Sequence, residues 1–486
     1  MQVNPQRQLV LILILGILFA VCPAYCSTYF VDPNGSDSST TGDINHPYKT
    51  IPKAVTAVAA GGTIYLRGGT HGFYTDANKI SISKSGTAGN LITMQNYQNE
   101  KPILDFSHQT RGGTVRGISL SGSYWHFKGF TLCNAGDNGL YCTGGHNIFE
   151  QLIAYGNQDS GIDLYTGASY NQVINCDSHH NYDPQGAGGN ADGFGAKGQT
   201  GCTSCLGVGN SFYGCRSWCN SDDGFDLWWA HNAVLIENCW AWQNGYNIWG
   251  FVGTWKGNGE GFKMGKGPGA HKVFNCVAFY NRLGGFTLNR NNTDGGDTEV
   301  NGVTVDNCTG MENQDNGSYN NFKVPDHSPL TVAIHTLHNN VSYLGSVSIG
   351  TQMVHATYNT WNDGFSVSAA DFAGLDANDL SAPRGPNGEL PTVKYMHLAP
   401  MSALRNAGMD VNLPYYGKAG KAPDLGAYED LFGDCNGDGV VDFLDLKCLA
   451  DNWLASSCGT CNNADFSGDN QVNFVDFALM AEYWMQ

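Results

Sequence analysis

Short apolar segments recur along the middle of the chain in one fixed frame. Each copy has an alternating strand such as Val234-Leu235-Ile236, then Cys, Asn and a Gly-Phe pair, and copies are 24 residues apart where no insert lengthens them. The recurring positions are Cys176, Cys215, Cys239, Cys276 and Cys308, with Asn157, Asn181, Asn220, Asn244, Asn281 and Asn313. Helical periodicity is nearly absent from 110 to 350. Strands at this spacing predict a parallel β-helix in which equivalent residues stack on successive turns.

Other all-β architectures fit this repeat less well. A β-propeller needs longer repeats, and a sandwich does not keep one frame over so many copies. In a β-helix the recurring Cys would point inward as small apolar side chains. The recurring Asn would stack at turns or take left-handed backbone conformations. An amphipathic helix from Ile51 to Ala60, followed by a strand at 62–66, is expected to cap the open end of the coil.

The two ends of the chain differ from the repeat. Arg7 and the apolar run Leu9–Val21 are typical of an export signal. We therefore predict a signal peptide over residues 1–26, a β-helix domain over 27–430 and a distinct module over 431–486. No second apolar stretch in the sequence is long enough to span a membrane, so we expect an exported protein, free or attached to a cell surface.

Charge is unevenly distributed along the chain. The 486 residues are 41% hydrophobic and carry a net charge of −18, which argues against a general nucleic-acid-binding protein. The stretch from Lys256 to Arg290 nevertheless holds six Lys or Arg and one acid, Glu260. Such a basic stretch suits an anionic substrate because local charge can oppose the sign of the whole chain. We expect Lys266, Arg282 and Arg290 to bind the acidic groups of that substrate.

Three copies of the Gly-Phe pair have charged neighbours. They are Asp192-Gly193-Phe194, Asp223-Gly224-Phe225-Asp226 and Glu260-Gly261-Phe262-Lys263. Neighbouring strands lie about 4.8 Å apart, so Asp192 is expected beside Asp223, and Asp226 beside Lys263. Adjacent carboxylates repel unless a proton or a cation lies between them. Together with Asp222 they predict a cation site with oxygen ligands, for which Ca²⁺ is a better choice than Mg²⁺.

A lysine beside that cation predicts a reaction. A neutral amine is a general base, and neighbouring cations such as Lys266 are expected to favour the neutral form of Lys263 against the opposite effect of Asp226. Ca²⁺ bound to a substrate carboxylate acidifies the hydrogen on the adjacent carbon, which in a polyuronate is C5. Loss of the C4 oxygen then completes a β-elimination. Two alternatives stay open: a glycoside hydrolase with Asp163 or Glu260 as its acid, and a non-catalytic carbohydrate-binding β-helix.

The C-terminal module has two calcium-loop patterns 31 residues apart. Oxygen-bearing side chains occupy positions 1, 3, 5, 9 and 12, and position 7 offers its backbone carbonyl, as in EF-hand loops. The predicted ligands are Asp434, Asn436, Asp438, Val440, Asp442 and Asp445 in the first loop, and Asp465, Ser467, Asp469, Gln471, Asn473 and Asp476 in the second. Asn470 stands at position 6, where the turn usually requires Gly. Matching apolar positions predict a short helix after each loop.

Similarity to a known family lies in four segments, at residues 190–194, 220–226, 236–242 and 257–263. They resemble the family 9 polysaccharide lyases, which are pectate lyases on a right-handed parallel β-helix, and the similarity extends from Tyr29 to Glu429. The resemblance implies that polygalacturonate or pectin is the substrate and that Lys263 is the base. It assigns the catalytic Ca²⁺ to Asp192, Asp222, Asp223 and Asp226. A lyase acting on another uronate polymer is the nearest alternative.

The module at 431–486 resembles type I dockerins, which hold two Ca²⁺ ions and bind cohesin domains. Loop positions 10 and 11 are Phe443-Leu444 and Phe474-Val475, where small hydroxyl residues often contact cohesin. We expect this module to attach the enzyme to a cohesin or to another cell-surface protein. Its cysteines suggest a disulfide clamp; they are Cys435, Cys448, Cys458 and Cys461.

Overall fold

The chain is described here as a computed structural model. The structure describes residues 27–199, 206–288, 302–315, 318–325, 334–351, 354–399, 402–413, 422–429, 433–435, 441–457, 461, 464–482 and 484. The predicted signal peptide therefore lies outside the described residues, as does Arg290. Within the described part of the chain, no helix combines the length and the apolar character that a membrane crossing needs.

Three parallel sheets run along the coil, and successive turns add one strand to each. The twelve-stranded sheet consists of Thr28–Val31, Thr63–Leu66, Ile92–Asn96, Trp125–Lys128, Ile148–Glu150, Gln172–Ile174, Asn210–Tyr213, Val234–Glu237, Lys272–Phe274, Thr304–Asp306, His335–His338 and Val354–Thr357. The ten-stranded sheet consists of Gly69–His71, Pro102–Asp105, Thr131–Cys133, Ile153–Tyr155, Asp177–His179, Arg216–Trp218, Trp240–Trp242, Val277–Phe279, Thr309–Met311 and Val341–Tyr343.

The eleven-stranded sheet carries the charged frame. It consists of Ile80–Ile82, Ile118–Leu120, Leu140–Cys142, Ile162–Leu164, Phe194–Ala196, Phe225–Asp226, Glu260–Lys263, Gly284–Thr287, Gln314–Asp315, Ser318–Val324 and Ser346–Ile349, of which Gln314–Asp315 pairs antiparallel. The predicted parallel β-helix is confirmed.

Identical side chains stack on successive turns and hold the coil together. Phe194, Phe225, Phe262, Phe286 and Phe322 form one inner column with ring centroids 4.8 to 4.9 Å apart. The five recurring Cys are fully buried, as predicted. The buried Asn side chains from Asn157 to Asn313 form a ladder in which each amide donates to the next at 2.9 to 3.0 Å. Because each buried amide finds a partner on the next turn, the ladder fixes the turns in register.

The Asn that precedes most of the recurring Cys has the other role predicted for Asn, a left-handed backbone conformation. Asn175, Asn238, Asn275 and Asn307 have φ values between 50° and 53°, the left-handed region that Asn tolerates. The Gly before each stacked Phe is needed for a different reason. A Cβ at Gly224 would lie 2.5 Å from the carbonyl oxygen of Gly261. The turns approach so closely there that a side chain does not fit.

Two elements outside the repeat pack against the coil. A helix, α1 (Ile51–Ala57), buries Ile51, Ala54 and Val55 in the main core; it is three residues shorter than predicted. Farther along the chain, the described residues of the segment from Phe372 to Leu425 pack on the outer face of the ten-stranded sheet.

A buried charge cluster fixes that C-terminal segment to the coil. Oδ1 of Asp177 lies 2.7 Å from Arg384, in the segment, and its Oδ2 lies 2.7 Å from Arg216, on the adjacent strand. Arg216 also donates to the carbonyl oxygen of Leu380 at 2.9 Å. The segment is therefore joined to the sheet by ion pairs as well as by apolar packing.

The C-terminal module has two helices, α2 (Phe443–Asp451) and α3 (Phe474–Glu482), one after each loop as predicted. Their shared core includes Leu449, Val472 and Met480. A disulfide joins Cys435 to Cys448, and Cys461 is also disulfide-bonded. Cys458 lies outside the described residues.

Candidate active site

The charged residues of the frame lie above one another, as the sequence predicts. Phe194 pairs with Phe225, and Asp226 pairs with Lys263. Oδ1 of Asp192 accepts a hydrogen bond from the backbone N–H of Asp223 at 3.0 Å. Oδ1 of Asp223 in turn accepts one from the N–H of Glu260 at 2.7 Å. Each carboxylate is thus held by the backbone of the next turn, which fixes its position.

Three carboxylates converge at one point. Asp192, Asp223 and Asp226 are buried, and one oxygen from each lies within 4.8 Å of the other two. In the described part of the chain, this is the single group of three or more His, Cys, Asp or Glu side chains close enough to share an ion. The donors are hard anionic oxygens, which is the set that Ca²⁺ prefers, so the residues fit the predicted ion.

Asp222, the fourth predicted ligand, joins the two inserts that lengthen the repeat, the first at residues 182–191 and the second at 246–259. Its Oδ2 accepts from the backbone N–H of Asn190 at 2.8 Å, and its Oδ1 accepts from that of Asn258 at 2.5 Å. Burial raises the pKa of this carboxyl to about 6, and the charge of Asp192 adds to the effect. The side chain also lines the cleft beside the three carboxylates. Its place as a calcium ligand stays a prediction.

Lys263 is in direct contact with the carboxylates. Its Nζ lies 2.8 Å from Oδ2 of Asp223 and 3.6 Å from Oδ2 of Asp226, and 4.8 Å from the centre of the Trp228 ring. Burial alone would lower the pKa of this amine, but Asp223 and Asp226 outweigh burial and raise it well above its usual value. This direction is opposite to the one expected from neighbouring cations, because Asp223 makes a direct ion pair.

A second lysine, which was not among the residues predicted from the sequence, lies at this point. Lys197 pairs with Oδ2 of Asp192, and its Nζ lies 3.5 Å from Oδ2 of Asp226. It follows the strand Phe194–Ala196 and has no equivalent in the repeated Gly-Phe frame. A signal was nevertheless present, since Lys197 is five residues after Asp192 and borders the same frame.

An open cleft of about 630 Å³ lies over these groups. Its lining residues are Tyr165, Gly186, Gly189, Asn190, Lys197, Gly198, Asp222, Asp226, Trp228, Lys256, Asn258, Lys263 and Lys266. The ammonium group of Lys266 lies 4.4 Å from the centre of the Trp228 ring. Arg282 instead donates to the carbonyl oxygens of Gly257 and Asn258, at 2.9 and 3.3 Å, and so supports the second insert. Four lysines and one tryptophan therefore line an open cleft beside the carboxylates.

The two inserts are held together by aromatic side chains. The rings of Tyr182 and Trp249 stack with centroids 4.7 Å apart, and Trp255 lies 6.0 Å from Tyr182. Nε1 of Trp255 donates to the carbonyl oxygen of Gly245 at 2.7 Å. These contacts position the backbone N–H groups of Asn190 and Asn258, which donate hydrogen bonds to the carboxylate of Asp222.

Two further buried carboxyl groups border the site. Burial raises the pKa of Asp163 to about 7, and burial together with the charge of Asp223 raises that of Glu260 well above its usual value. Oδ1 of Asp163 and Oε2 of Glu260 accept no hydrogen bond from the described residues. Both groups keep the predicted hydrolase alternative chemically open.

In the second predicted calcium loop of the C-terminal module, backbone hydrogen bonds hold the last of the predicted ligands. Asp476 is fully buried, and its two oxygens accept from the N–H groups of Ser467 and Asn473, each at 2.8 Å. In the first loop Asp445 is equally buried and accepts from Cys435 and Asp442 at 2.7 and 2.9 Å. Asn470 has a φ of 64°, the conformation predicted for position 6. Asn436, Asp438 and Val440 lie outside the described residues.

Aromatic side chains follow both loops. Phe443 and Phe474 are 69% and 77% exposed, and each packs edge-on against the Trp of the other half, Trp484 and Trp453, at 5.2 Å. The module therefore presents two equivalent apolar surfaces, one at the start of each helix. Leu444 and Val475, the next residues, are 60% and 49% exposed.

Comparisons with known proteins agree with both parts of this description. Residues 29–342 match the family described as Pel9A-like, right handed beta helix region, and residues 432–484 match the type I dockerin domain. Pectate lyase L of Dickeya chrysanthemi is 38% identical over 82% of this chain and 90% of its own length.

Two solved structures are similar to this chain over most of their length. The crystal structure of pectate lyase Pel9A has a TM-score of 0.71 and 36% identity, over 83% of this chain and 96% of that one. A rhamnogalacturonan lyase has a TM-score of 0.65 and 29% identity, over 77% and 96%.

Proposed function

The chain belongs to the Pel9A-like β-helix family and ends in a type I dockerin domain, and from this premise we propose that it is a calcium-dependent pectate lyase. It cleaves polygalacturonate by β-elimination. The observation that carries the proposal is the contact of a buried lysine with converging carboxylates: Nζ of Lys263 lies 2.8 Å from Asp223 at the floor of a cationic cleft.

In the proposed mechanism, the carboxylates bind the ion and Lys263 accepts the proton. Asp192, Asp223 and Asp226, with Asp222 beside them, would hold a Ca²⁺ ion, whose positive charge would draw electron density from the substrate carboxylate and make the C5 hydrogen acidic. Nζ of Lys263 takes that proton. The C5–H electrons form the C4=C5 double bond, and the C4–O bond breaks with its electron pair on the leaving oxygen, which takes a proton from water.

The protonation of Lys263 is linked to the same carboxylates. A general base must be neutral, while Asp223 and Asp226 raise the pKa of this amine. When the two carboxylates share their charge with an ion, they hold the proton on Nζ less strongly. Lys263 is therefore a base only in the assembled site, which links proton abstraction to the presence of calcium and substrate.

Further cations of the cleft orient the polymer. Lys266 lies at the Trp228 ring, and it lines the cleft together with Lys256 and the base. A repeating uronate chain offers one carboxylate per sugar, which suits several ammonium groups placed along one groove. Arg290 is kept as a proposed substrate-binding residue, and Arg282 acts on the substrate through the insert that it supports.

The C-terminal module attaches the enzyme to a partner protein. We assign the β-helix domain to residues 27–430, the dockerin to 431–486 and an export signal to 1–26. The exposed apolar side chains Phe443, Leu444, Phe474 and Val475 suit a cohesin or another cell-surface protein with an apolar contact face, because such exposed patches mark protein contacts. The enzyme then acts outside the cell.

Similarity to a rhamnogalacturonan lyase supports a second candidate, a lyase acting on that polymer. Both candidates and the hydrolase alternative are separated by one assay. The full chain is incubated with polygalacturonate or rhamnogalacturonan, with Ca²⁺ or with a chelator, and unsaturated products are followed by ultraviolet absorbance. We expect calcium-dependent absorbance on polygalacturonate. Reducing ends without absorbance would establish hydrolysis, and product from rhamnogalacturonan alone would establish the second candidate.

A further inference from the structure

Lys197 is the second ammonium group of the carboxylate site. Its Nζ pairs with Oδ2 of Asp192 and lies 3.5 Å from Oδ2 of Asp226. The side chain is 13% exposed, and it lines the cleft. It is therefore neither a solvated surface lysine nor part of the apolar core.

The surrounding backbone determines where the side chain of Lys197 lies. The backbone N–H of Lys197 donates to the carbonyl oxygen of Leu164 at 2.8 Å, and that of Gly198 donates to Trp228 at 2.9 Å. Gly195 lies between Asp163 and Asp226 in the sheet. A Cβ at Gly195 would lie 2.3 Å from Oδ1 of Asp163 and 3.1 Å from Cε of Lys197. The missing side chain at residue 195 thus leaves the room through which Lys197 reaches the carboxylates.

Two lysines share three carboxylates. Lys263 pairs with Asp223 and Lys197 pairs with Asp192, while Oδ2 of Asp226 lies 3.6 and 3.5 Å from their Nζ atoms. The oxygens that fit a divalent cation are thus the oxygens that the ammonium groups contact. A cation bound among them shares these oxygens with the ammonium groups and is repelled by their charge. Like charges at such distances in a buried site interact strongly.

We propose that Lys197 is a tethered competitor of the cation and lowers the calcium affinity of the active site. This inference rests on the proposed function, since it concerns the same ion. The base, Lys263, cannot be removed without losing the reaction. Lys197 is the ammonium group whose charge can be varied separately. Its presence shifts the calcium requirement of the enzyme to higher concentrations than three buried carboxylates alone would set.

The test is calcium binding by the full chain, measured by isothermal titration calorimetry. Lys197→Met removes the charge and keeps the length of the side chain, whereas Lys197→Arg keeps the charge. Lys256→Met is the matched control, because Lys256 lines the same cleft but is exposed. Asp226→Asn provides the reference isotherm, in which the C-terminal loops bind and the cleft site is weakened. The difference between each isotherm and this reference reports the cleft site.

We expect Lys197→Met to bind calcium at the cleft site about tenfold more tightly or better, as expected for removal of a nearby like charge. Lys197→Arg should remain within about threefold of the wild type, and Lys256→Met within about twofold, because an exposed charge is screened. Lys197→Gln, which keeps a polar end group for Asp192, replaces Lys197→Met if the latter has a lower unfolding temperature. It carries the same expectation.

Unchanged or weaker calcium binding in the neutral variants would overturn the inference and would mean that Lys197 only orders Asp192. The proposed function would stand in that case. Identical isotherms for the wild type and Asp226→Asn would overturn the calcium site itself, and the inference with it. The two failures are therefore distinguishable in one set of titrations.

Discussion

Nζ of Lys263 donates a 2.8 Å hydrogen bond to Oδ2 of Asp223, which belongs to the preceding turn of the coil. The amine is 4% exposed and the carboxylate is fully buried. Vertical stacking of the turns brings them together, although they are 40 residues apart. The proposed chemistry depends on this relationship, because it joins the proposed base to a carboxylate that is proposed to hold the ion.

Lys263→Met should abolish cleavage while the fold is kept. The variant has a side chain of similar length without the amine, so about 10²- to 10⁴-fold of rate is expected to be lost with the general base. The rate of unsaturated product formation from polygalacturonate at saturating Ca²⁺ measures the effect. Lys266→Met, in the same cleft, should raise KM more than it lowers kcat. Wild-type kcat in Lys263→Met would contradict the assigned base.

Trp255→Ala should reduce activity because it loosens the contact between the two inserts. Trp255 packs on Tyr182, and its loss loosens the backbone N–H of Asn258 that holds Asp222. Residues that position metal ligands typically affect metal affinity or activity by about 10- to 100-fold. We expect a lower kcat and a higher calcium concentration for half-maximal activity. Val252→Ala, at a position of the same insert that is 96% exposed, should change both by less than about threefold. Equal effects of the two variants would contradict a specific role for Trp255.

Much of the fold follows from the repeat, and so does the stacking of four charged residues of the site. Stacking at a fixed spacing determines which residues are neighbours, so the pairs Asp192–Asp223 and Asp226–Lys263 could be predicted. The Asn ladder and the buried Cys follow for the same reason, since equivalent positions share one environment on every turn.

Contacts made outside the repeat could not be predicted in this way. Lys197 reaches Asp192 from beyond the end of its strand, past the space that Gly195 leaves open. The raised pKa of Lys263 follows from the distance to Asp223, which a sequence does not contain. Arg384 pairs with Asp177, 207 residues away, through a segment that has no repeat of its own.

Calcium removal should loosen the C-terminal module before the coil. The side chains of Asp445 and Asp476 are buried at the start of each helix, where a bound ion would balance their charge. We expect a chelator to increase hydrogen exchange in α2 and α3, while amides of the ten-stranded sheet remain protected. Asp476→Asn should reproduce the change in α3, whereas Asp451→Asn, an exposed carboxylate, should not. Unchanged exchange in both helices would contradict calcium binding by the loops.

Asp177→Ala should destabilise the β-helix domain. It leaves the guanidinium groups of Arg216 and Arg384 buried without their carboxylate, which typically costs about 3 to 5 kcal/mol. Burial alone would raise the pKa of Asp177, but the two arginines outweigh burial and hold it below its usual value. A carboxyl whose pKa is lowered by folding contributes stability above its unfolded pKa of about 3.9, and this contribution is lost as the pH falls through the folded value.

The stability difference between wild type and Asp177→Ala should therefore be constant from about pH 5 to pH 8 and shrink below about pH 4. Thermal unfolding followed by circular dichroism at several pH values measures it. Glu150→Gln, which alters the more exposed pair with Lys128, should lower stability by less than about 1 kcal/mol. A difference that grows on acidification would mean that Asp177 is protonated in the folded state. The segment from Phe372 to Leu425 would then be held to the coil by apolar packing rather than by its arginine.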